Sequence, residues 1–189
     1  MRAIPTIRTA RLTLRAMRPQ DFDRYADICG APSAEESLLG EPLGRADAWN
    51  AFLRNAGHWH MTGFGQWAIE PHGSGVMMGQ VGFFARRPWP GAAEHPWREA
   101  RWRLHPEASG TNLGADAAHA AHDWFDRVVT GPLYCRCSAG NRQAEELALA
   151  LGYSVAEPDD GHDDPRMRVF VRKGPPGGPR NLLEEVNLW

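Results

Sequence analysis

The sequence has few of the residues that mark several large classes of protein. Its three cysteines are too few for a disulfide scaffold. It has no apolar run of about 18 residues, and its first residues lack the apolar core of a signal peptide. We therefore expect a cytoplasmic protein without a membrane span. Lys173 is its single lysine, and the net charge of -2 gives no general reason to expect a nucleic-acid partner.

The composition is that of one globular domain. Apolar residues make up 42% of the chain, which is enough for one full core. We place the domain at residues 1–173. Residues 174–189 form a Pro/Gly linker and a short amphipathic appendage. We expect this appendage to pack on its own domain or on a second copy in a homodimer, because it would otherwise expose apolar surface.

Apolar periodicity predicts an α/β (α+β) order of elements, β-α-α-β-β-β-α-β-α-β-β. Alternating apolar and polar residues predict strands, as at residues 11–15 and 99–104. Helical spacing predicts four helices. The second of these is predicted to bury one face made by Trp49, Phe52, Leu53 and Ala56.

The loop after His105 has the layout of a phosphate-binding site. Small and turn-forming residues fill it, and it opens directly into an amphipathic helix. The first turn of a helix leaves N–H donors unpaired at the positive end of the helix dipole, where a phosphate binds. No proline lies between Ala108 and Ala117, so every donor is present.

Several short stretches follow one another in the order found in a known family. They are residues 9–15 (TARLTLR) and 19–22, the pair 66–69 and 78–83, residues 104–107 (LHPE), Asn141, and residues 151–153 (LGY). Together they resemble the GNAT superfamily of N-acyltransferases, in the branch that includes the ribosomal-protein N-terminal acetyltransferases. The resemblance implies a mixed, mostly antiparallel sheet of six to seven strands. It also implies helices on both faces and a splay between strands four and five.

The resemblance further implies acetyl-coenzyme A as co-substrate, bound in that splay. The coenzyme pyrophosphate would bind the loop amides of Ser109, Gly110, Thr111, Asn112, Leu113 and Gly114. Leu104 and Asn141 would be further coenzyme contacts. Ser109 replaces the family's Arg or Gln, and Asn112 replaces a glycine. Asparagine tolerates a left-handed backbone better than most residues, so we expect Asn112 to preserve the loop.

Acetylation requires an amine to lose a proton, attack the thioester carbonyl and release a thiolate. Glu99 is our candidate general base, because it aligns with an acidic position at the start of the family's fourth strand. The alternative is a solvated carboxylate at a strand edge. Ala144 replaces a serine that can lie near the leaving thiolate. Tyr153 is therefore our candidate general acid, although its position is normally an aromatic residue of the core.

Other polar residues admit structural explanations. Arg101 and Arg103 lie on the same side of their strand as Glu99, either to anchor an acidic substrate or phosphate or to form a salt bridge. His119 and His122 lack the further ligands that a metal needs, and we expect both to be exposed. We predict no metal site.

Two cysteines and several tryptophans also need an explanation. Alternation along a short strand predicts that Cys135 and Cys137 are core thiols. Trp89 and Trp97 lie in a proline-rich loop, where they could form part of an acceptor pocket or of the core.

The sequence thus predicts an acetyl-coenzyme A-dependent N-acetyltransferase. Its acceptor would be a primary amine, either a peptide N-terminus or a small molecule, and acetyl transfer would occur by direct attack in a ternary complex. The alternative is a non-catalytic relative that binds a ligand or a partner through the same cleft.

Overall fold

The structure is a computed structural model that describes residues 3–31, 42–85, 98–156 and 166–174. Trp89, Trp97 and the predicted appendage lie outside these ranges. The helices are α1 (Phe22–Gly30), α2 (Arg45–Thr62), α3 (Leu113–Val128) and α4 (Arg142–Ala150). The strands are β1 (Ile7–Arg8), β2 (Leu12–Arg15), β3 (Gln66–Pro71), β4 (Gly79–Ala85), β5 (Arg98–Leu104), β6 (Leu133–Ser138), β7 (Ser154–Val155) and β8 (Met167–Arg172). Within the described ranges, no helix is long and apolar enough to cross a lipid bilayer.

The strands form one sheet in the order β1-β2-β3-β4-β5-β6-β8-β7. All neighbours are antiparallel except β5 and β6, which run parallel. Over the full length of these two strands, the paired residues are Arg98 with Leu133 and Glu99 with Tyr134. Beyond those pairs the two strands diverge. The predicted mixed sheet with a splay is confirmed, and the strand missing from the prediction is the two-residue β1, which is too short to show alternation.

Helices cover both faces of the sheet, as the resemblance implied. Alternation along β3 sends Trp67 to the face under α3, where it joins a core with Phe83 and Phe125. The next residue, Ala68, faces a second core under α1 and α2 that includes Tyr25. Each large apolar side chain buried in this way contributes about 1.5–3 kcal/mol of transfer free energy.

The buried face of α2 differs from the predicted one. The helix buries Ala48, Ala51, Phe52, Asn55 and Trp59, whereas Trp49 is 42% exposed and Leu53 is 51% exposed. Of the four predicted residues, only Phe52 is therefore correct, since Ala56 is exposed as well. The buried face includes one polar residue, Asn55, whose amide donates a hydrogen bond of 3.3 Å to the Tyr25 hydroxyl. Hydrophobic periodicity cannot detect such a contact.

Candidate active site

A cleft opens where β5 and β6 diverge, with a volume of about 110 Å³. Its floor and walls come from the two strands and from the start of α4, including Leu104, Cys135, Cys137, Asn141 and Ala144. Its rim includes the loop before α3, through Ser109, Gly110, Thr111 and Gly114. The splay and the predicted phosphate loop therefore form a single site.

The edge of β5 presents backbone groups to this cleft. The Arg98 N–H points toward the β6 side, 3.5 Å from the Pro132 carbonyl, whereas the His105 N–H donates to Met78 on the β4 side. Because strand residues alternate, the peptide groups of Trp102 and Leu104 point toward β6, beyond its last pair with β5. They can bind the amides of an extended ligand.

The loop itself is held by Thr111 and by one left-handed glycine. The Thr111 N–H and hydroxyl both donate to the Ala108 carbonyl, at 3.2 Å and 2.6 Å. Gly110 has a φ of +74°, whereas Asn112 has an ordinary φ of −79°. Asn112 therefore does not need the left-handed conformation that asparagine tolerates, and its Cβ imposes no backbone strain on the loop.

The start of α3 provides unpaired donors. No atom of the described residues accepts a hydrogen bond from the N–H groups of Gly110, Asn112, Gly114 or Ala115. The only acceptor near the Leu113 N–H in the described ranges is the Thr111 hydroxyl, at 3.4 Å. Unpaired amides at a helix N-terminus are the groups that bind a phosphate.

Two contacts at the start of α3 determine its packing and its charge. A Cβ built on Gly114 would lie 3.3 Å from Leu104 Cδ1, so only glycine lets α3 approach β5 without a shift of that side chain. Asp116 in the first turn forms an ion pair of 2.6 Å with Arg11. This pair partly neutralises a carboxylate that would otherwise repel an anion at the same helix end.

Asn141 lies across the cleft and caps α4. Its Oδ1 accepts a hydrogen bond of 3.0 Å from the Ala144 N–H. This contact fixes the side chain at the edge of the cleft beside Ala144. The structure thus brings together at one cleft the predicted residues Leu104, Ser109, Gly110, Thr111, Gly114 and Asn141.

Glu99 is fully buried at the branch point of β5 and β6, not solvated at a strand edge. Arg136 donates to its Oε1 at 3.0 Å, and Arg101 donates to its Oε2 at 3.0 Å. The salt bridge considered for Arg101 is therefore present. Arg136 lines the cleft between β5 and β6.

A second cavity lies on the opposite face of the sheet, under α1 and α2. Tyr25, Cys29, Ala51 and Arg54 come from the helices, and Gln66, Gln80, Phe84, Arg101 and Arg103 come from the strands. Arg103 lines both this cavity and the cleft. The cavity could not be predicted from the sequence, because it depends on which residues of β3, β4 and β5 lie side by side.

Tyr153 lies in the core and not among the residues that line either cavity. Its hydroxyl is 2.7 Å from Nε2 of His122. Burial raises the pKa of Tyr153 well above its usual value and lowers the pKa of His122 to about 4. His119 is exposed as predicted, whereas the predicted exposure of His122 is wrong. The helical spacing of apolar residues along α3 does not predict that a histidine and a tyrosine pair inside the core.

Cys135 and Cys137 are buried, which confirms them as core thiols. Burial raises the pKa of the Cys135 thiol well above its usual value and raises that of Cys137 to about 11. Both also line the cleft, which strand alternation alone does not predict. Within the described ranges, no three side chains of His, Cys, Asp or Glu lie together as a metal would need.

Residues 11–154 match the sequence profile of the Acetyltransferase (GNAT) domain family. The chain belongs to the GNAT acetyltransferase family. Its structure is similar to that of an acetyltransferase from Agrobacterium tumefaciens str. C58, with 29% identity over 91% of this chain and 96% of that one and a TM-score of 0.75.

Two further structures share the GNAT fold. A putative GNAT-family acetyltransferase from Bordetella pertussis has 24% identity, coverage of 89% of this chain and 99% of that chain, and a TM-score of 0.75. RimL, a ribosomal L7/L12 alpha-N-protein acetyltransferase in complex with coenzyme A, has 15% identity, coverage of 89% and 98%, and a TM-score of 0.68. The family predicted from the sequence is confirmed.

Proposed function

We propose that this GNAT protein transfers an acetyl group from acetyl-coenzyme A to a primary amine. The observation that carries the proposal is the row of unpaired amides at the start of α3, which opens onto the cleft between β5 and β6. A coenzyme diphosphate would accept hydrogen bonds from these amides. The coenzyme A complex of RimL, which shares the fold, supports the choice of ligand.

The remaining cleft residues suit the other end of the coenzyme. The outward peptide groups of Trp102 and Leu104 would bind the amides of the pantetheine arm, as a neighbouring strand would. Asn141 would contact the same arm from the start of α4. This arrangement would direct the thioester toward the branch point of β5 and β6, near Glu99.

Direct attack by the amine fits the chemistry of the cleft better than an acyl-cysteine intermediate. A cysteine nucleophile must be a thiolate. Burial raises the pKa values of Cys135 and Cys137, so both remain protonated thiols at neutral pH. The reaction would therefore proceed in a ternary complex, and positioning of the two substrates would supply much of the acceleration.

We assign Glu99 a positioning role, since Arg101 and Arg136 already occupy both of its oxygen atoms. It would hold one arginine toward each cavity. Tyr153 would contribute through the core, because its hydroxyl is bound to His122. Substitution of Tyr153 by Phe is then expected to leave the pH dependence of kcat unchanged, whereas a general acid would shift its basic limb.

Calorimetry with acetyl-coenzyme A tests the site directly. Gly110→Ala introduces a Cβ at a φ of +74°, and Gly73→Ala does the same at +76° in the turn between β3 and β4, which does not line the cleft. Neither Cβ would meet another atom within 4 Å, so the two variants carry the same local strain. We expect Gly110→Ala to weaken coenzyme binding about tenfold, and Gly73→Ala to leave it unchanged.

Two results would contradict the proposal. Equal effects of the two variants would place the coenzyme elsewhere. Absence of coenzyme binding by the unsubstituted protein would favour the non-catalytic alternative. Release of free thiol when amines are added to the acetyl-coenzyme A complex would support acetyl transfer.

A further inference from the structure

The loop before α3 contains no cation of its own. Between residues 108 and 118 the only charged residue is Asp116, which lies in the first turn of α3. The amides at a helix start carry about half an elementary positive charge in total, whereas an aspartate carries a full negative charge. A cation supplied from elsewhere in the fold therefore determines whether this helix start attracts or repels a phosphate.

Arg11 supplies that cation from the turn before β2. Its Nε lies 2.6 Å from Oδ2 of Asp116, and its Nη2 donates to Oδ1 at 2.8 Å. The backbone of Arg11 is held as well, since its N–H donates to the Thr9 hydroxyl at 3.2 Å and its carbonyl accepts from the His72 N–H at 3.0 Å. Both ends of this long side chain are therefore fixed in place.

The ion pair lies toward the phosphate-binding end of α3. The Asp116 N–H donates to the Asn112 carbonyl at 3.0 Å, which closes the first turn of the helix. Side chains on a helix tilt toward its N-terminus. The Asp116 carboxylate and the guanidinium bound to it are therefore directed toward the end where the amides of Gly114 and Ala115 are unpaired.

One edge of the Arg11 guanidinium stays open. A guanidinium has five N–H donors, and the Nε/Nη2 edge of this one binds Asp116. Among the described residues, nothing accepts a hydrogen bond from Nη1, and the Arg11 side chain is 58% exposed. The free Nη1/Nη2 edge matches the spacing of two phosphate oxygens. Arg11 is thus held along one edge and available to an anion along the other.

We propose that Arg11 is a phosphate ligand of the coenzyme and that Asp116 positions it. The open edge of the guanidinium donates to a coenzyme phosphate beside the unpaired amides of α3. This inference rests on the proposed acetyl transfer, and it adds a binding residue that comes from β2 and lies far from the loop in the sequence. The coenzyme diphosphate and its 3′-phosphate share this chemistry.

Calorimetry with coenzyme A tests the assignment through two changes of opposite sign. Arg11→Gln is expected to weaken binding about tenfold at low salt, because it leaves the Asp116 charge uncompensated. Asp116→Asn is expected to tighten binding about threefold, since it removes a negative charge while its amide oxygen can still accept from Arg11. If the Arg11→Gln loss persists with 3′-dephospho-coenzyme A, the contact is to the diphosphate. If the loss disappears, the contact is to the 3′-phosphate.

Salt separates a charge contact from a packing effect. Because Arg11 is exposed, its attraction for a phosphate is screened by added ions. The loss caused by Arg11→Gln is therefore expected to shrink to about threefold when the ionic strength rises from about 0.05 M to about 0.5 M. A loss that does not change with salt would overturn the inference.

Arg172→Gln is the matched control on the same helix. Arg172 forms a two-point ion pair with Asp126 of α3, at 2.8 Å and 2.6 Å, and neither residue lines the cleft. If Arg11 only holds α3 in place, the two arginine variants should weaken coenzyme binding equally. Equal losses, no loss with Arg11→Gln, or weaker binding with Asp116→Asn would each overturn the inference.

The proposed transferase can stand when this inference fails. Unchanged binding by Arg11→Gln together with weakened binding by Gly110→Ala would remove Arg11 from the site and leave the amides of the loop as the phosphate ligands. Absence of coenzyme binding by the unsubstituted protein would instead contradict the proposed function itself, and this inference with it.

Discussion

Glu99 is the residue on which the two cavities converge. Its carboxylate is completely buried between two guanidinium groups, Arg101 and Arg136. A buried ion pair contributes little net stability compared with an apolar replacement, but removal of one partner leaves an uncompensated charge. A residue of this kind determines where its partners point, and both partners here face a cavity.

Glu99→Gln is expected to lower kcat/KM about tenfold and the free energy of unfolding by about 3 kcal/mol. The amide can still accept one hydrogen bond but cannot neutralise two cations. If Glu99 positions the arginines, the pH profile of kcat/KM will keep its shape. Steady-state kinetics from pH 6 to pH 9 and urea denaturation provide the two measurements.

Loss of the acidic limb of that profile would contradict the positioning role. It would restore the general base predicted from the sequence, with the loss of about 10²- to 10⁴-fold typical of such a residue. Glu107→Gln is the control, because Glu107 also pairs with an arginine, Arg24, but is exposed. An exposed pair of this kind contributes at most about 1 kcal/mol.

Among the helices, α3 has a glycine in its first turn, which is unfavourable for helix formation but allows α3 to pack closely against β5. Gly114 in its first turn lacks a side chain because Leu104 lies directly below it. A glycine inside α2, Gly57, has open space where a Cβ would be. The two positions therefore separate the backbone cost of glycine from its packing benefit.

Gly57→Ala is expected to raise the free energy of unfolding by about 0.5–1 kcal/mol, since alanine restricts the unfolded chain and favours the helix. Gly114→Ala is expected to gain less than that, because its Cβ would lie 3.3 Å from Leu104 Cδ1. Urea denaturation of both variants measures the difference. An equal gain at the two sites would mean that α3 does not need glycine to approach β5.

The elements differ in how well the sequence predicts them. The loop before α3 could be predicted because its donors, turn residues and helix start lie within a few consecutive positions. The buried face of α2 could not, because Asn55 takes an interior position through its bond to Tyr25. Gly110 rather than Asn112 takes the left-handed conformation, which depends on how Thr111 folds back onto Ala108.

At the scale of the whole molecule, the register between strands determines which distant residues line a cavity, and the sequence does not reveal that register. Gln66, Gln80 and Arg101 are far apart in the chain, and they line one cavity only because β3, β4 and β5 align as they do. The coenzyme cleft was predictable from a resemblance that covers most of the chain. The cavity under α1 and α2 has no local motif, so its lining emerges only from the folded sheet.

The buried pair of His122 and Tyr153 connects α3 with the sheet and with the segment before β7. His122 lies in α3 and packs against the rings of Phe83 in β4 and Trp102 in β5. Tyr153 precedes β7. Burial favours the neutral imidazole, so the fold lowers the pKa of His122 from 6.5 to about 4. Protonation of His122 therefore lowers the free energy of unfolding of the protein.

The sign follows from linkage. As the pH falls below 6.5, the unfolded chain binds a proton at His122 before the folded protein does, and this continues down to about pH 4. The free energy of unfolding is expected to fall by about 3 kcal/mol across that window, and to be independent of His122 above it. His122→Gln cannot titrate, so its stability should fall less steeply than that of the unsubstituted protein over the same range. Urea denaturation at half-unit pH steps measures both curves. Parallel curves would show that the imidazole is not held neutral by burial, and the arrangement of α3 against β4 and β5 would then need revision.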